Sequence, residues 1–377
     1  MKRVVNETKL ETGWTMAFRP DGRELIVVVA KGTFVLVDPD LNGEPRLAEK
    51  QVPPLMADEF GADPAKNAPL RENDFAPIKP ECDVLLAGSA HAPHGRAVKT
   101  IGVGLRVGSI SKSFQVTGRR TWKAGLTGDP APGEPEPMVK QPISYDVAFG
   151  GTEADPQKPD RIETYLENPV GRGFRKHNFQ LWGDPMPVTE EISDPVQDPR
   201  KSYRPMAFGP LGRNWKPRMD YVGTYDKRWM EEIAPMLPAD FNPLHFQAAP
   251  PDQRMPIPRG GETIRLLNLV PSSISPDASA QNRIPKLPVT MIFVPVRGNP
   301  VWVDAGLDTI LIEPDENRFL CCWRASHAPI RDAFDIGEVI VYIRDAESDG
   351  RMRARLSGKQ YFQGLGELAR SGKGGSR

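Results

Sequence analysis

Proline sets the first limit on what this chain can fold into: 40 of its 377 residues are Pro, and 34 more are Gly. Proline lacks the backbone N–H and breaks both helix interiors and central strands. Long helices are therefore not the dominant element, and regular structure has to fit between the prolines. What fits are short apolar, β-branched runs such as "LIVVVA" at 25–30. They are strand-length and far too short to span a bilayer as a helix. The chain reads as a mainly β protein with a β-sandwich-like core, long Pro- and Gly-rich loops and a few short helices.

Along the chain, "WTMAFRP" and "ELIVVVAKGTFVLV" within 14–37 read as paired strands turning at Asp21-Gly22. A Pro-rich traverse follows over 44–80. "DVLLAGSAHA" reads as a strand, and the stretch after it as a meander with Val103, Leu105 and Val107 on one face and Gly104, Arg106 and Gly108 on the other. The break "GLTGDPAPGEPEP" at 125–137 separates an N-terminal β-rich region, 1–124, from a Pro-, Arg- and aromatic-rich middle, 125–260. There "YDKRWMEEIAPML" at 225–237 is the helix candidate, with Asp226 as N-cap, Trp229 and Ile233 on its apolar stripe and Pro235 ending it. Strands return over 261–356, including a hairpin around "EPDENR", and a flexible tail is expected over 357–377. We expect the N- and C-terminal regions to share one core, with the middle laid across it.

Charge is balanced, 49 Lys plus Arg against 49 Asp plus Glu, so no global field draws nucleic acid or an anionic membrane. The first residues lack the apolar core of a secretory signal. The three cysteines, Cys82, Cys321 and Cys322, are too few and too odd for a disulfide framework. Reduced thiols in a cytoplasmic protein are the simplest expectation. Adjacent Cys321 and Cys322 on a strand point to opposite faces, which predicts one in the core and the other half-exposed.

Several patterns invite chemistry. "DPDLNGEPRLAE" at 38–49 satisfies a calcium-loop pattern through Asp38, Asp40, Asn42 and Glu49, but a strand precedes it and Pro45 and Arg46 disturb the loop; an acidic turn is the plainer reading. His91 and His94 in "HAPH" cannot share a strand face, and Pro93 opposes a helix, so a metal site is not expected. No nucleophile elbow, zinc-protease motif or phosphate loop occurs, and Ser89 beside His91 has no evident orienting partner. "YLENPVGRGF" at 165–174 places Gly171 and Gly173, able to take positive φ, beside Arg172 and Arg175; it is an anion-cradling loop or, more plainly, a rigid turn. "FGPLGRNWKPRMDYVGTYDKRWMEE" at 208–232 sets aromatics among five cations. Such clusters suit a protein interface or packing inside a loop-rich core.

"YDVAFGG" (145–151) followed by "NPVGRGF" (168–174) resembles the signature of a bacterial domain family of formerly unknown function associated with type VI secretion. The likeness extends through "KPECDVLLAGSAHAP", "VTGRRTW", the 208–232 stretch, "LPADFNPLHFQAAPPDQR", "GGETIRLLNL" and "LDTILIEPDENRFLCCWRA", from about residue 10 to about 345. The resemblance implies an adaptor or chaperone that binds a cognate secreted effector, at its spike-tip-like or N-terminal region, and helps load it onto the secretion spike. It implies no catalytic residues and no cofactor.

The leading expectation is thus a binding protein, not an enzyme, with Arg172, Trp215, Arg218, Tyr221, Tyr225 and Trp229 as candidate partner contacts. The effector is the expected partner, and the spike protein a second one; nucleic acid and membrane insertion are not expected. The alternative is a hydrolase using a carboxylate or His91 in a site built from the 145–175 loops. A third reading is a structural component of the secretion apparatus.

Overall fold

The computed structural model describes residues 1–19, 21–38, 45–125, 129–155, 157–177, 181–359 and 361. The chain is mainly β, with three short α-helices among the described residues. Strands Glu11–Phe18 and Glu24–Val35 pair antiparallel from Glu11↔Lys31 to Phe18↔Glu24. Gly22 takes φ 80° in the turn between them, a conformation open to glycine at no steric cost. This hairpin is one edge of a six-stranded sheet ordered Arg254–Met255, Cys82–Leu86, Gly306–Glu313, Arg318–His327, Glu24–Val35, Glu11–Phe18. Strands from the N-terminal and C-terminal regions therefore share this sheet. The Gly306–Glu313 and Arg318–His327 strands form the hairpin expected around "EPDENR", closed by Asn317 at φ 50°.

The two faces of this sheet are different. On one, Phe34 stacks on Phe319 at 5.3 Å and meets Trp323 edge-on at 6.4 Å, inside the main apolar core. On the other, Lys31, Cys322 and Arg324 lie beneath the Pro-rich traverse. Lys31 pairs with Asp74 at 2.7 Å, Arg324 with Asp308 at 2.5 Å, and Lys79 with Asp83 at 2.7 Å. Each pair offsets the desolvation of the other charge, and the Asp74 and Lys79 partners pin the traverse to the sheet. Cys322 donates to Asp74 Oδ1 at 3.2 Å. The expectation that one of Cys321 and Cys322 would be half-exposed is corrected: both are buried, because the second face is covered too.

A five-stranded antiparallel sheet runs Thr189–Glu190, Ile110–Thr117, Thr100–Val107, Thr263–Leu267, Ala280–Arg283. Val103, Leu105 and Val107 point into the core, as their alternation predicts, with Gly104 and Arg106 on the other face. A four-stranded sheet sets Arg3–Asn6 parallel to Ile336–Ile343, followed by Val289–Pro295 and the edge strand Val301–Asp304. The helix Ala346–Leu356 covers it through Met352, which packs with Ile292, Ile340 and Tyr342. Asp345 caps that helix by accepting from Ser348 N at 2.7 Å. One buried cluster draws on residues from Leu10 to Val341, with Tyr145, Phe208 and Trp215 of the middle region among them.

Among the described residues no helix is long and apolar enough to cross a membrane. Asp40, Asn42 and Gly43 of the calcium-like stretch lie outside the described residues, as does the tail apart from 357–359 and 361. At the start of that stretch, the Asp38 carboxylate accepts from Arg46 Nε, so a cation already sits on the first would-be ligand.

Candidate partner-docking surface

The signature loops are built around Asn168. Its side chain is wholly buried, and Nδ2 donates to Tyr145 O at 2.8 Å and to Phe149 O at 2.9 Å. Its carbonyl accepts from Gly151 N at 2.8 Å. Phe149–Gly150 and Arg172–Gly173 pair as a two-residue parallel ladder, with Arg172 N donating to Ala148 O at 2.8 Å. A Cβ on Gly171 would stand 2.4 Å from Asn168 Nδ2 and 2.7 Å from Ala148 O, so only glycine fits there. Gly173 takes positive φ, at 90°; Gly171 does not. "NPVGRGF" thus acts as a rigid brace. Arg172 contributes its backbone to that brace and its side chain is half-buried. Arg175 turns back to Phe174 O and Asp184, each at 2.8 Å.

Three carboxylates of these loops are engaged in hydrogen bonds as well. Asp146 accepts from Ala68 N at 2.8 Å, Glu153 from the backbone of Lys176 and His177, and Glu163 from Lys176 Nζ at 3.0 Å. His91 Nε2 lies 2.7 Å from Asp315 Oδ1, while Ser89 Oγ donates to Oδ2 of the same carboxylate at 3.0 Å and Lys140 Nζ stands 2.9 Å away. Half-burial raises the Asp315 pKa, but the hydrogen bonds from His91, Lys140 and Ser89 outweigh it and hold the carboxyl down to about 2. Serine and histidine both bond the aspartate, so the cluster is a cross-link between Gly88–His91, Lys140–Ile143 and the 314–316 turn. His94 faces a different carboxylate, Asp277, at 3.3 Å. Among the described residues no group of three or more His, Cys, Asp or Glu is placed to hold a metal.

Two of the aromatic and cationic candidates lie inside. Trp215 is buried and meets the Tyr145 ring edge-on at 5.3 Å. Arg218 is 1% exposed; it donates to His245 O at 2.8 and 3.0 Å, to Leu211 O at 3.0 Å and to Glu72 Oε1 at 2.8 Å. Loop carbonyls that no strand ladder can satisfy need donors, and a buried guanidinium supplies several. Trp215 and Arg218, expected as partner contacts, are thus placed inside the fold, where they hold the middle region together. Tyr221 is half-buried beside the helix Lys216–Met219. Asp226 caps the helix Lys227–Glu232 through Trp229 N at 2.8 Å, as its position predicts. Trp229 donates from Nε1 to Met236 O at 2.9 Å and carries Tyr225 on its ring at 4.6 Å, leaving Tyr225 half-exposed.

The most exposed large apolar side chains lie elsewhere. In the connection between Arg318–His327 and Ile336–Ile343, Ile330 is 95% exposed and Phe334 81% exposed. Val296 and Val301 join them around a hollow of about 490 Å³. The backbone around Phe334 is hydrogen-bonded in place. Asp332 Oδ1 accepts from Phe334 N at 2.8 Å, Glu24 Oε2 from Ala333 N at 2.6 Å, and Asp335 O from Val296 N at 2.7 Å. Ala333 and Ile336 are anchored in the core, so Phe334 is held pointing outward. His327 lines the hollow, its ring 5.1 Å from Phe293, and burial pushes its imidazole pKa down, keeping it neutral at neutral pH. The hollow borders Val301–Asp304, an edge strand of the four-stranded sheet. It thus offers apolar knobs beside the charged side chains of Arg297, Arg331, Asp332 and Asp335, and a strand edge, elements that a protein-docking groove uses. Sequence reasoning passed over this stretch; its signal is two large apolar residues stranded among Pro, Arg and Asp in "APIRDAFD".

Comparison with curated proteins and with solved structures gave no match. A family model does match, over residues 21–324, from the first hairpin to the Arg318–His327 strand and across both signature loops. The chain belongs to the bacterial family described as "Uncharacterized protein conserved in bacteria (DUF2169)".

Proposed function

We propose that this chain is an adaptor: it binds a secreted effector of the type VI system and helps load it onto the secretion spike. The observation that carries the reading is the pair Ile330 and Phe334, 95% and 81% exposed on either side of a hollow that Val296 and Val301 also line, with the backbone at Phe334 hydrogen-bonded in place. Leaving two such side chains in water forgoes about 1.5–3 kcal/mol each of burial free energy. A docked apolar segment recovers it. The resemblance of the signature loops to effector adaptors names the class of partner, and the bracing of those loops gives them a role in presenting a rigid scaffold. The partner segment lies in the effector's spike-tip-like or N-terminal region, the host compartment is the cytoplasm, and the spike protein is the second partner.

The test is affinity purification from the host, comparing the wild-type chain with the Ile330→Ser, Phe334→Ser double variant. A secreted protein should accompany the wild type in stoichiometric amount and be lost from the variant. Equal recovery by both, or no companion at all, contradicts the proposal.

A further inference from the structure

The outward face of the five-stranded sheet carries an arrangement that the fold itself does not need. Arg106 and Arg265 stand directly opposite each other on neighbouring strands, and both are exposed. Like charges in that register repel and weaken the sheet. Arg283, opposite Thr263 on the edge strand, projects from the same face. None of the three guanidinium groups has a hydrogen bond or ion pair with a described residue. Asp277, the carboxylate that lines the hollow there, is engaged by His94 at 3.3 Å.

Around the arginines the face is built low. Ser111 lies opposite Arg106 and Gln281 opposite Arg265, while Ser113 lies opposite Gly104. Gly104 leaves the floor of the hollow bare, Gly102 beside it has open space where a Cβ would stand, and the hollow measures about 530 Å³. Leu267, half-exposed, adds an apolar point to it. Forked donors, hydroxyls and a bare backbone floor match an extended peptide that presents carboxylates. Side chains two residues apart on such a peptide are about 7 Å apart and on one side, a spacing that reaches from the Arg106–Arg265 pair toward Arg283. Nucleic acid fits less well, because among the described residues no aromatic side chain lines this hollow to stack a base.

We infer that this face is a second docking site, for an acidic extended segment of a partner protein. The inference rests on the reading of the chain as a partner-binding protein, but concerns a surface apart from the Ile330–Phe334 groove.

The experiment titrates the full chain, at low salt, into a fluorescein-labelled, end-blocked peptide of alternating Glu and Gly, with a Gln and Gly peptide as control. The Glu peptide should bind about tenfold or more tightly than the Gln peptide, and weaken as salt rises. The Arg106→Gln, Arg265→Gln double variant should lose about tenfold in affinity with an unchanged or raised melting temperature. The Arg106→Glu, Arg265→Glu variant should reverse the preference, binding a Lys and Gly peptide instead. Equal binding of the Glu and Gln peptides, or full binding by the Gln variant, would overturn the inference. So would tighter binding of an oligothymidine than of the Glu peptide. The Ile330→Ser, Phe334→Ser variant should bind the Glu peptide as the wild type does. The peptide titration therefore fails or succeeds independently of effector co-purification.

Discussion

Arg218 and Glu72 meet inside the protein at 2.8 Å, an ion pair between the middle region and the Pro-rich traverse. Arg213 reaches the same Glu72 oxygen at 2.9 Å from the surface side. The guanidinium of Arg218 also ties Leu211 and His245, so one side chain closes several loops that share no ladder.

Replacing Arg218 with Met should therefore destabilise the fold by about 3–5 kcal/mol, because it removes the buried partner of Glu72, leaving only the partly exposed Arg213, and leaves the carbonyls of Leu211 and His245 without this donor. Arg213→Met, whose side chain is partly exposed, should cost about 1 kcal/mol or less. Urea unfolding of both variants measures the difference, and near-equal losses would contradict the assignment of Arg218 as the central tie.

The signature brace makes a similar prediction about backbone space. Gly171→Ala would force a methyl group to 2.4 Å from Asn168 Nδ2 and should cost about 3 kcal/mol or more. Asn168→Ala removes two buried hydrogen bonds to Tyr145 O and Phe149 O and should cost about 2–3 kcal/mol. Because both act on the same loop, their effects should fall short of additivity in the double variant. Full additivity in unfolding measurements would argue against a shared brace.

Much of the fold is legible in the sequence, and the reasons are local. Strands such as Thr100–Val107 alternate cleanly, and Asp226 marks a helix start by its own hydrogen bond. What escapes notice depends on distant parts of the chain. Arg3–Asn6 is a four-residue strand whose partner, Ile336–Ile343, is more than three hundred residues away in sequence. Cys322 is buried because the traverse covers its face of the sheet, which strand periodicity does not reveal. The helix Ala346–Leu356 carries Gly350 at its centre and few apolar residues, so its stripe is weak despite the Asp345 cap. Trp215 and Arg218 have the composition of an interface, but unladdered loops need their bulk and donors inside. Ile330 and Phe334 have no periodicity, and only the structure shows them exposed together.

Asp315 supplies a pH-dependent test. Its carboxyl lies lower in the folded chain, at about 2, than its ordinary value of 3.8. The unfolded chain therefore binds the proton more readily, and the stabilisation is complete above about pH 4 and disappears as pH falls through about 2. Asp315→Asn should cost about 1–2 kcal/mol at neutral pH, after allowance for partial exposure, with the deficit shrinking between about pH 4 and pH 2. A deficit unchanged down to pH 2 would show that the His91, Lys140 and Ser89 contacts do not act through the charge.

The thiols give a simple check of the covered sheet. Cys82, Cys321 and Cys322 are buried, and desolvation pushes the pKa of each thiol up. All three should resist an aromatic disulfide reagent in the native chain and react promptly in denaturant. Rapid native labelling of Cys322 would mean that the traverse does not close over it.

On the proposal above, the Ile330–Phe334 groove holds the effector and the fold does not require its residues. The most direct measurement pairs the stability of the Ile330→Ser, Phe334→Ser variant with its recovery of the effector from host cells. Stability should stay within about 0.5 kcal/mol of the wild type, since both side chains already lie in water, while the effector is lost. A variant that keeps the effector at full stoichiometry, or that unfolds, would contradict the account.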